Sequence, residues 1–177
     1  MPRPATSGPI AAASADEAVA VLESGMRVFV HGAAATPAPL LEAMVRRRDL
    51  RDVTLYHLHT EGPAPFLDPE HRERFHSVSL FVGPPARAAV DEGAADFMPV
   101  FLSDIPALFH TRTIDLDAAL LQLSPPDSHG FCSLGTSVDA ALAASLTARV
   151  LVAEINAQMP RTLGNTLVPY ARLAAAA

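Results

Sequence analysis

The sequence predicts an α/β domain with a largely parallel sheet flanked by helices. Short β-rich runs alternate with helical segments along the whole chain, which is the pattern of repeated βαβ units. Several of these runs are apolar at every position, as in strands that helices cover on both faces. The chain has 177 residues, of which 50% are hydrophobic, so it can bury the core of one domain.

The first helix is predicted behind a short N-terminal arm. Residues 1–13 are rich in proline, serine and alanine, and we expect them to be flexible. Ser14 and Glu17 then form the pattern of a capping box, in which each side chain accepts a hydrogen bond from a free amide at a helix start. The helix is expected to reach about Ser24 and to stop at Gly25, because glycine is the usual residue just beyond a helix end. The folded domain is therefore expected to begin at residue 14 and to extend to residue 177.

The first βα unit follows directly. Residues 27–31 form a β-rich run that predicts a strand. Gly32 and three alanines come next, and Thr36 can then cap a helix that has Pro37 at its first position. That helix is expected to end at about Arg47.

The same alternation continues to the end of the chain. Further strands are predicted at residues 53–58, 78–82, 96–101, 117–123, 150–155 and 166–173. Helical segments are predicted between them at residues 69–75, 83–93, 103–106 and 137–148. The chain then ends in four alanines without a polar cap, which we expect to be a cut rather than a natural domain edge.

Composition and charge exclude several classes of protein. The 13 cationic residues are all arginine, and 19 acidic residues give a net charge of −6, which argues against a nucleic-acid or anionic membrane surface. A nucleophilic or Schiff-base lysine is excluded because the chain has no lysine. One cysteine cannot form an internal disulfide, so we expect a reducing cytosolic compartment. No signal peptide, transit peptide or membrane-spanning run is predicted.

Three loops are candidates for a ligand site, because ligands of open parallel sheets bind at the carboxyl ends of the strands. The first loop spans residues 31–36. Gly32 would let the main chain approach a ligand, and the helix that follows could offer free amides to a carboxylate or phosphate. The alternative is an ordinary tight turn between strand and helix.

The second loop, residues 124–139, allows three interpretations. Asp127, His129 and Cys132 could form a thiolate nucleophile with its base and an orienting carboxylate. His129 and Cys132 could instead contribute two ligands to a metal ion. In the third interpretation Asp127 and His129 brace the loop, and Cys132 packs as a small hydrophobic residue.

The third loop spans residues 156–165. Arg161, just beyond a predicted strand, could bind a carboxylate or phosphate with two hydrogen bonds, or it could pair with Asp127 or Glu154. Glu154 lies near the end of that strand, where a carboxylate could act as a base or nucleophile. A structurally paired carboxylate is the alternative for Glu154.

Two histidines, His57 and His59, alternate along one predicted strand. We interpret them as one packing residue and one surface residue. A metal site is the alternative interpretation.

Two long segments carry a family resemblance. SPPDSHGFCSLGTSVDAALAA (residues 124–144) and VLVAEINAQMPRTLGN (residues 150–165) resemble the N-terminal half of the acetyl-CoA hydrolase/4-hydroxybutyrate CoA-transferase family. Upstream, MRVFVHGAAATPAPLLEAM is similar to the first strand–glycine–helix unit of that family. The segment that runs from PEHRERF to DIPALF is similar to the part that follows, so the resemblance covers about residues 14–173.

The resemblance implies a CoA-transferase-like (NagB/RpiA-like) α/β fold and acyl-CoA chemistry. Members of the family move CoA from an acyl-CoA to a carboxylic acid such as acetate or 4-hydroxybutyrate, or let water accept the acyl group. A glutamate carries CoA as a glutamyl thioester in a covalent ping-pong reaction. That glutamate belongs to the C-terminal half of the family, which this chain does not contain, and Glu154 lies in a different motif.

The resemblance also implies a set of residues that line the cleft for acyl-CoA. No catalytic residue and no metal ligand is assigned to this chain, and coenzyme A is expected as a substrate rather than as a tightly bound cofactor. The sequence departs from the family at Val168-Pro169-Tyr170, where relatives usually have Ile-His-Val. The expected lining residues are Gly32, His129, Gly130, Gln158, Met159, Pro160, Arg161 and Thr162.

The resemblance further predicts the partners of the chain. Alone, the chain is expected to be inactive, to pair with a C-terminal catalytic domain, and to self-associate through the apolar surface left uncovered, forming a homo-oligomer. Three alternatives stay open: a complete subunit that works with a separate catalytic chain, a non-catalytic assembly or CoA-binding module, and a self-contained thioesterase that uses Cys132 and His129.

Overall fold

An eight-stranded parallel sheet with helices on both faces forms the domain in a computed structural model that describes residues 10–177. The strands are β1 (Ile10–Ala11), β2 (Arg27–Val30), β3 (Val53–Leu58), β4 (Phe75–Phe81), β5 (Asp96–Phe97), β6 (Ala118–Leu123), β7 (Phe131–Ser133), β8 (Val150–Ile155), β9 (Leu167–Pro169) and β10 (Ala175–Ala176). The helices are α1 (Ala15–Ala18), α2 (Ala38–Arg46), α3 (Arg87–Asp91), α4 (Ile105–His110) and α5 (Asp139–Thr147). The predicted α/β class and parallel sheet are confirmed.

The strand order creates a crevice in the middle of the sheet. The order is β1-β10-β8-β6-β2-β3-β4-β5, and each neighbouring pair in it is parallel. From β2 the chain adds β3, β4 and β5 in one direction, and then returns to add β6, β8 and β10 in the other. Between β2 and β6 the connections therefore leave in opposite directions, which is the topological switch point where ligands of such sheets bind.

The core has two layers, one on each face of the sheet. Along β2, Val28 and Val30 pack toward α1 and α2, whereas Phe29 packs toward α4 and α5. The ring of Phe29 lies edge-on to that of Phe109 in α4, with centroids 5.7 Å apart. Because both faces are covered, the central strands are apolar at successive positions, which explains the pattern seen in the sequence. No helix within residues 10–177 has the length and hydropathy that crossing a membrane requires.

Both ends of the described chain belong to the sheet. Of the arm expected at residues 1–13, residues 1–9 lie outside the described residues, whereas Ile10 and Ala11 pair with Ala175 and Ala176. These two residues are therefore part of the sheet. Toward the other end of the described chain, Ala175 and Ala176 form a buried strand between β1 and β8. Alanine has low strand propensity, and pairing on both sides overrides it.

The capping prediction for the first helix is confirmed, but its length is not. The Glu17 amide donates to Ser14 Oγ at 3.3 Å, and the Glu17 carboxylate accepts from the Ala13 amide at 2.8 Å. The α-helix ends at Ala18 and continues only as the 3₁₀ turn Val19–Val21, so it stops short of the expected Ser24.

Thr36 does not cap α2. Its hydroxyl donates to the carbonyl of Ala33 at 2.9 Å and accepts from the amide of Glu61 at 3.1 Å, so it ties the first loop to the end of β3. Pro37 occupies the cap position of the helix instead. The predicted cap at Thr36 is therefore wrong, because a tertiary partner competes for the hydroxyl.

Other differences concern short elements. The predicted helix at 69–75 is only the 3₁₀ turn Pro69–His71, and β4 begins already at Phe75. The strand predicted at 96–101 has two residues, and the one predicted at 166–173 is β9 followed by the 3₁₀ turn Tyr170–Arg172. In the second loop, Phe131–Ser133 forms an unpredicted strand that pairs antiparallel with β9. Pairing with distant residues decides these elements, and the local sequence does not encode it.

Gly32 allows the end of β2 to lie against the end of β3. A Cβ at this position would collide with the carbonyl oxygen of Leu58. Glycine is therefore required here by main-chain packing, whatever ligand binds nearby.

We expect Gly32→Ala to lower the free energy of unfolding by about 1–3 kcal/mol, because the added methyl group must displace the main chain of Leu58. Urea denaturation monitored by circular dichroism measures this loss. Gly83→Ala is the matched control, since a Cβ there meets its nearest atoms at an ordinary 3.8 Å, and its effect should stay below about 1 kcal/mol. Equal losses in the two variants would contradict the collision.

Candidate functional site

A buried histidine separates β2 from β6 at the switch point. The His31 amide still donates to the carbonyl of Leu120 at 3.0 Å, but the amide of Gln122 donates to Nδ1 of the His31 ring at 3.3 Å. In a continuing β-ladder the amide of Gln122 would donate to a main-chain carbonyl of the neighbouring strand, but here it donates to a side chain. On its other side, the His31 ring bonds through Nε2 to the carbonyl of Ser137 at 2.5 Å. The imidazole therefore links β6 to the residues just before α5 through hydrogen bonds.

The hydrogen bonds define the protonation state of His31. Because Nδ1 accepts from an amide, the proton lies on Nε2 and is donated to the Ser137 carbonyl. Burial lowers the pKa of His31, although the hydrogen bonds and the carboxylate of Asp139 act in the opposite direction. His31 is fully buried, and its hydrogen bonds hold the end of β2 against β6. His31 was not among the expected site residues, although its place directly before Gly32 at a strand end is a feature that could have indicated it.

Asp127 organises the second loop and joins it to the third. Its Oδ1 accepts from the amides of His129 and Phe131, both at 2.9 Å, and its Oδ2 pairs with the guanidinium of Arg161 at 2.5 Å. Arg161 also donates to the carbonyl of Phe131 at 3.1 Å. The amides of Phe131 and His129 and the charge of Arg161 hold the pKa of Asp127 below its ordinary value. Of the alternatives for Arg161, pairing with Asp127 is confirmed, as is the bracing role of Asp127.

Hydroxyl groups form a second connection between the same two loops. The amides of Gly135 and Thr162 donate to Ser133 Oγ at 3.0 and 3.2 Å. Thr162 Oγ1 donates to the carbonyl of Gly135 and lies 2.9 Å from Ser133 Oγ. Met159 covers Gly135 so closely that a Cβ on this glycine would collide with the thioether. Residues 124–137 and 156–166 thus form one unit, which we call the loop pair.

The first loop does not offer the free amides that we expected. Pro37 and Pro39 have no N–H, and the amide of Ala38 donates to the carbonyl of Thr36 at 3.0 Å. The expected cradle for a carboxylate or phosphate at the start of α2 is therefore wrong. Two prolines in the first turn remove the donors that such a site needs.

A row of polar side chains crosses the carboxyl ends of β6 and β8. Gln122 Nε2 lies 3.4 Å from both the carbonyl of Thr36 and Glu154 Oε1, and Asn156 donates to Gln122 Oε1 at 3.2 Å. The second oxygen of Glu154 is buried and has no hydrogen-bond partner among residues 10–177. Burial raises the pKa of Glu154, and the hydrogen bond from Gln122 opposes the rise only in part. The alternative in which Glu154 pairs with Arg161 is wrong, because Arg161 pairs with Asp127.

The structure does not assemble the thiolate mechanism. Cys132 lies in the core beneath the loop pair and is fully buried, whereas His129 is exposed. Burial raises the pKa of the Cys132 thiol to about 11, so the thiol stays protonated. Both oxygens of Asp127 are already occupied. These observations favour the interpretation of Cys132 as a packing residue over its interpretation as a nucleophile.

Of the two histidines in and just after β3, His57 is buried and is the expected packing residue, whereas His59 is half-buried. Nε2 of His57 lies 2.8 Å from Ser77 Oγ and Nδ1 lies 3.0 Å from Thr60 Oγ1, and burial lowers the pKa of His57 to about 4. The His59 ring packs against that of Phe81, with centroids 4.2 Å apart. Within residues 10–177 no three His, Cys, Asp or Glu side chains come together as metal ligands.

The expected lining residues divide into two groups. Five of them are exposed, and the loop pair presents them to solvent: His129, Gly130, Gln158, Pro160 and Arg161. The others support the loops from within, since Gly32 and Met159 are buried and Thr162 is half-buried and hydrogen-bonded. We call the crevice between β2 and β6, together with the exposed face of the loop pair, the switch-point cleft.

The fold defines a class: it is a doubly wound α/β domain, and in such domains ligands bind at the carboxyl edge of the parallel sheet. A family description, Acetyl-CoA hydrolase/transferase N-terminal domain, matches residues 11–173. The chain therefore belongs to the acetyl-CoA hydrolase/transferase family and carries its N-terminal domain. The resemblance of the two motif segments is confirmed.

Curated relatives and a solved structure agree with this assignment. The chain is 46% identical over 165 residues to a succinyl-CoA:acetate/propanoyl-CoA:succinate CoA transferase of Fasciola hepatica, covering 92% of the chain and 34% of the relative. It is 35% identical over 156 residues to a 4-hydroxybutyrate coenzyme A transferase of Clostridium kluyveri, covering 88% and 36%. A crystal structure of 4-hydroxybutyrate CoA-transferase from Porphyromonas gingivalis matches with a TM-score of 0.77 and 34% identity, covering 92% of the chain and 38% of that protein. The chain spans about a third of the length of the curated relatives.

We expect Cys132 to be unreactive in the folded protein. At pH 8 a thiol reagent should label it at least about 100-fold more slowly than in urea, because burial reduces both access and the thiolate fraction. Labelling followed by mass spectrometry measures both rates, and Cys132→Ser gives the background. Rapid labelling of the folded chain would contradict the packing role and favour the thiolate mechanism.

Proposed function

We propose that this domain forms one wall of the cleft in which a CoA-transferase moves CoA between an acyl-CoA and a small carboxylic acid. The observation that carries the proposal is the cleft at the switch point, built from the two segments that resemble the family. In this proposal the exposed residues of the loop pair line the cleft, while His31, Gly32 and Met159 hold it in shape. Acyl-CoA is bound as a substrate and not as a resident cofactor.

In the proposed reaction the nucleophile lies outside this chain. A glutamate carboxylate from the part of the relatives that this chain does not span attacks the thioester carbonyl, which releases CoA thiolate and forms an acyl-glutamyl anhydride. The thiolate then attacks the glutamyl carbonyl, the acyl group leaves as its carboxylate, and the glutamate carries CoA as a glutamyl thioester. Three features of this chain support that assignment. It has no lysine, its only cysteine is buried and protonated, and its half-buried Glu154 lies one strand away from the crevice.

A second domain is proposed to cover the apolar surface beside the cleft. The carboxyl ends of β4 and β5 and the residues that follow expose large apolar side chains, of which Phe101 is 79% exposed. Exposed apolar patches of this kind mark interaction surfaces. Besides Phe101, the exposed apolar side chains of this surface are Phe81, Phe97 and Leu102. We propose that a C-terminal catalytic domain covers this surface, that the assembled enzyme is a homo-oligomer, and that it works in the cytosol.

Domain replacement tests the proposed function. This chain would replace the matched third of the Fasciola hepatica relative, and transfer of CoA from succinyl-CoA to acetate would be measured. We expect the chimera to retain activity within about 100-fold of the parent, since small misplacements across a rebuilt cleft cost up to that factor. The chain alone should show no transfer. A chimera that folds and unfolds cooperatively but transfers no CoA would contradict the proposal.

The site of the covalent adduct tests the mechanism separately. After incubation of the chimera with an acyl-CoA and proteolysis, mass spectrometry should place the CoA adduct on a glutamate outside residues 1–177. An adduct on Glu154 or Cys132 would overturn the assignment of the nucleophile to the second domain.

A further inference from the structure

Arginines gather in an open cleft at the edge of the sheet opposite the switch-point cleft. The cleft has a volume of about 740 Å³. Arg48 and Arg51 come just before β3 and Arg74 just before β4, so they lie at the amino ends of these strands. Six residues of β3 separate the two edges, a distance of about 20 Å. We call this cleft the arginine cleft, and its lining residues are Val45, Arg46, Arg48, Arg51, Glu70, His71 and Arg74.

Two of these guanidinium groups are held in place by main-chain carbonyls. Arg51 donates through Nη1 to the carbonyls of Arg48 and Leu50, at 2.6 and 2.7 Å. Arg74 donates to the carbonyls of Arg47 and Val45 at the end of α2, at 2.8 and 2.9 Å. A carbonyl orients a guanidinium group but leaves its full positive charge available to a ligand.

Three arginines of the cleft form no ion pair within the described residues. Arg48, Arg51 and Arg74 have no carboxylate within 4.0 Å among residues 10–177, and Arg48 has no hydrogen bond from its side chain there. Arg46, by contrast, forms two hydrogen bonds with the carboxylate of Asp16. A protein with a net charge of −6 thus concentrates free positive charge at one place.

The other polar groups of the cleft offset part of this charge. Glu70 is the one carboxylate of the lining, and its Oε1 lies 3.5 Å from Nε2 of His71. Nδ1 of His71 accepts from Arg74 at 2.8 Å, which fixes the ring beside the guanidinium. The ring of Phe75 supports the same guanidinium from below, 4.9 Å from its centre.

We propose that the arginine cleft binds the diphosphate group of a small molecule. Guanidinium groups match phosphate oxygens with paired hydrogen bonds. The three arginines and Glu70 together leave a net charge of about +2 in the cleft, which suits the two to three negative charges of a diphosphate. The site is separate from the switch-point cleft and needs no residue of it. Two sources carry this group, a free nucleoside diphosphate and the diphosphate of coenzyme A.

Titration with pyrophosphate tests the proposal directly. Isothermal calorimetry at low ionic strength should show binding to the chain at millimolar concentrations or below, and Arg48→Glu should weaken it by about tenfold or more. Arg48 makes no side-chain hydrogen bond within the described residues, so this variant should keep the fold, which circular dichroism checks. The matched control is Arg87→Glu, an exposed arginine that follows the carboxyl end of β4, and it should bind as the parent chain does.

Several results would overturn the site. Absence of pyrophosphate binding, equal affinity in the Arg48→Glu variant and the parent chain, or an equal loss in the Arg87→Glu control would each do so. ADP and coenzyme A as second ligands then distinguish the source. The one whose affinity exceeds that of pyrophosphate, and falls in Arg48→Glu, identifies the molecule that the cleft serves.

Discussion

The separation of β2 from β6 by the His31 ring is the constraint on which the candidate site depends. A neutral imidazole accepts from the Gln122 amide and donates to the Ser137 carbonyl, so the two strands diverge while every polar atom of the ring stays bonded. The bond to Ser137 also fixes the residues that lead into α5. Since an unpaired buried imidazole would be costly, the ring, the crevice and the start of α5 hold one another in a single arrangement.

The loop pair is held to this frame by bonds between the two motif segments. Asp127 and Arg161 form one connection, and Ser133 and Thr162 form the other. The polar groups in both connections are engaged in hydrogen bonds or ion pairs, so they are not available for catalysis. The polar residues of these motifs therefore serve largely to keep the two long loops together. The side chains of His129 and Gln158 take no part in these connections and stay exposed.

The sequence predicted the features that depend on local pattern. Alternating runs defined the parallel sheet, and the motif segments defined the two loops that the structure brings together. The cap at Ser14 was also correct, because its partner lies three residues away, although Glu17 bonds to the amide of Ala13 rather than to that of Ser14.

The features that depend on distant partners could not be predicted. Thr36 was expected to cap α2, but the amide of Glu61 competes for its hydroxyl. The terminal alanines carry no strand pattern, and only pairing with β8 and β1 makes them a strand. The role of His31 could not be predicted for the same reason, since its hydrogen-bond partners lie 91 and 106 residues away.

Hydrogen exchange of the chimeric transferase tests the central claim most directly. The ligand would be an acyl-pantetheine thioester, which has no diphosphate and so cannot report on the arginine cleft. The account predicts slower exchange of main-chain amides in residues 124–137 and 156–166 when this thioester is bound, with no change in residues 45–51 and 70–74. Unchanged exchange in the loop pair, or protection confined to the opposite edge of the sheet, would contradict the placement of the acyl-CoA cleft at the switch point.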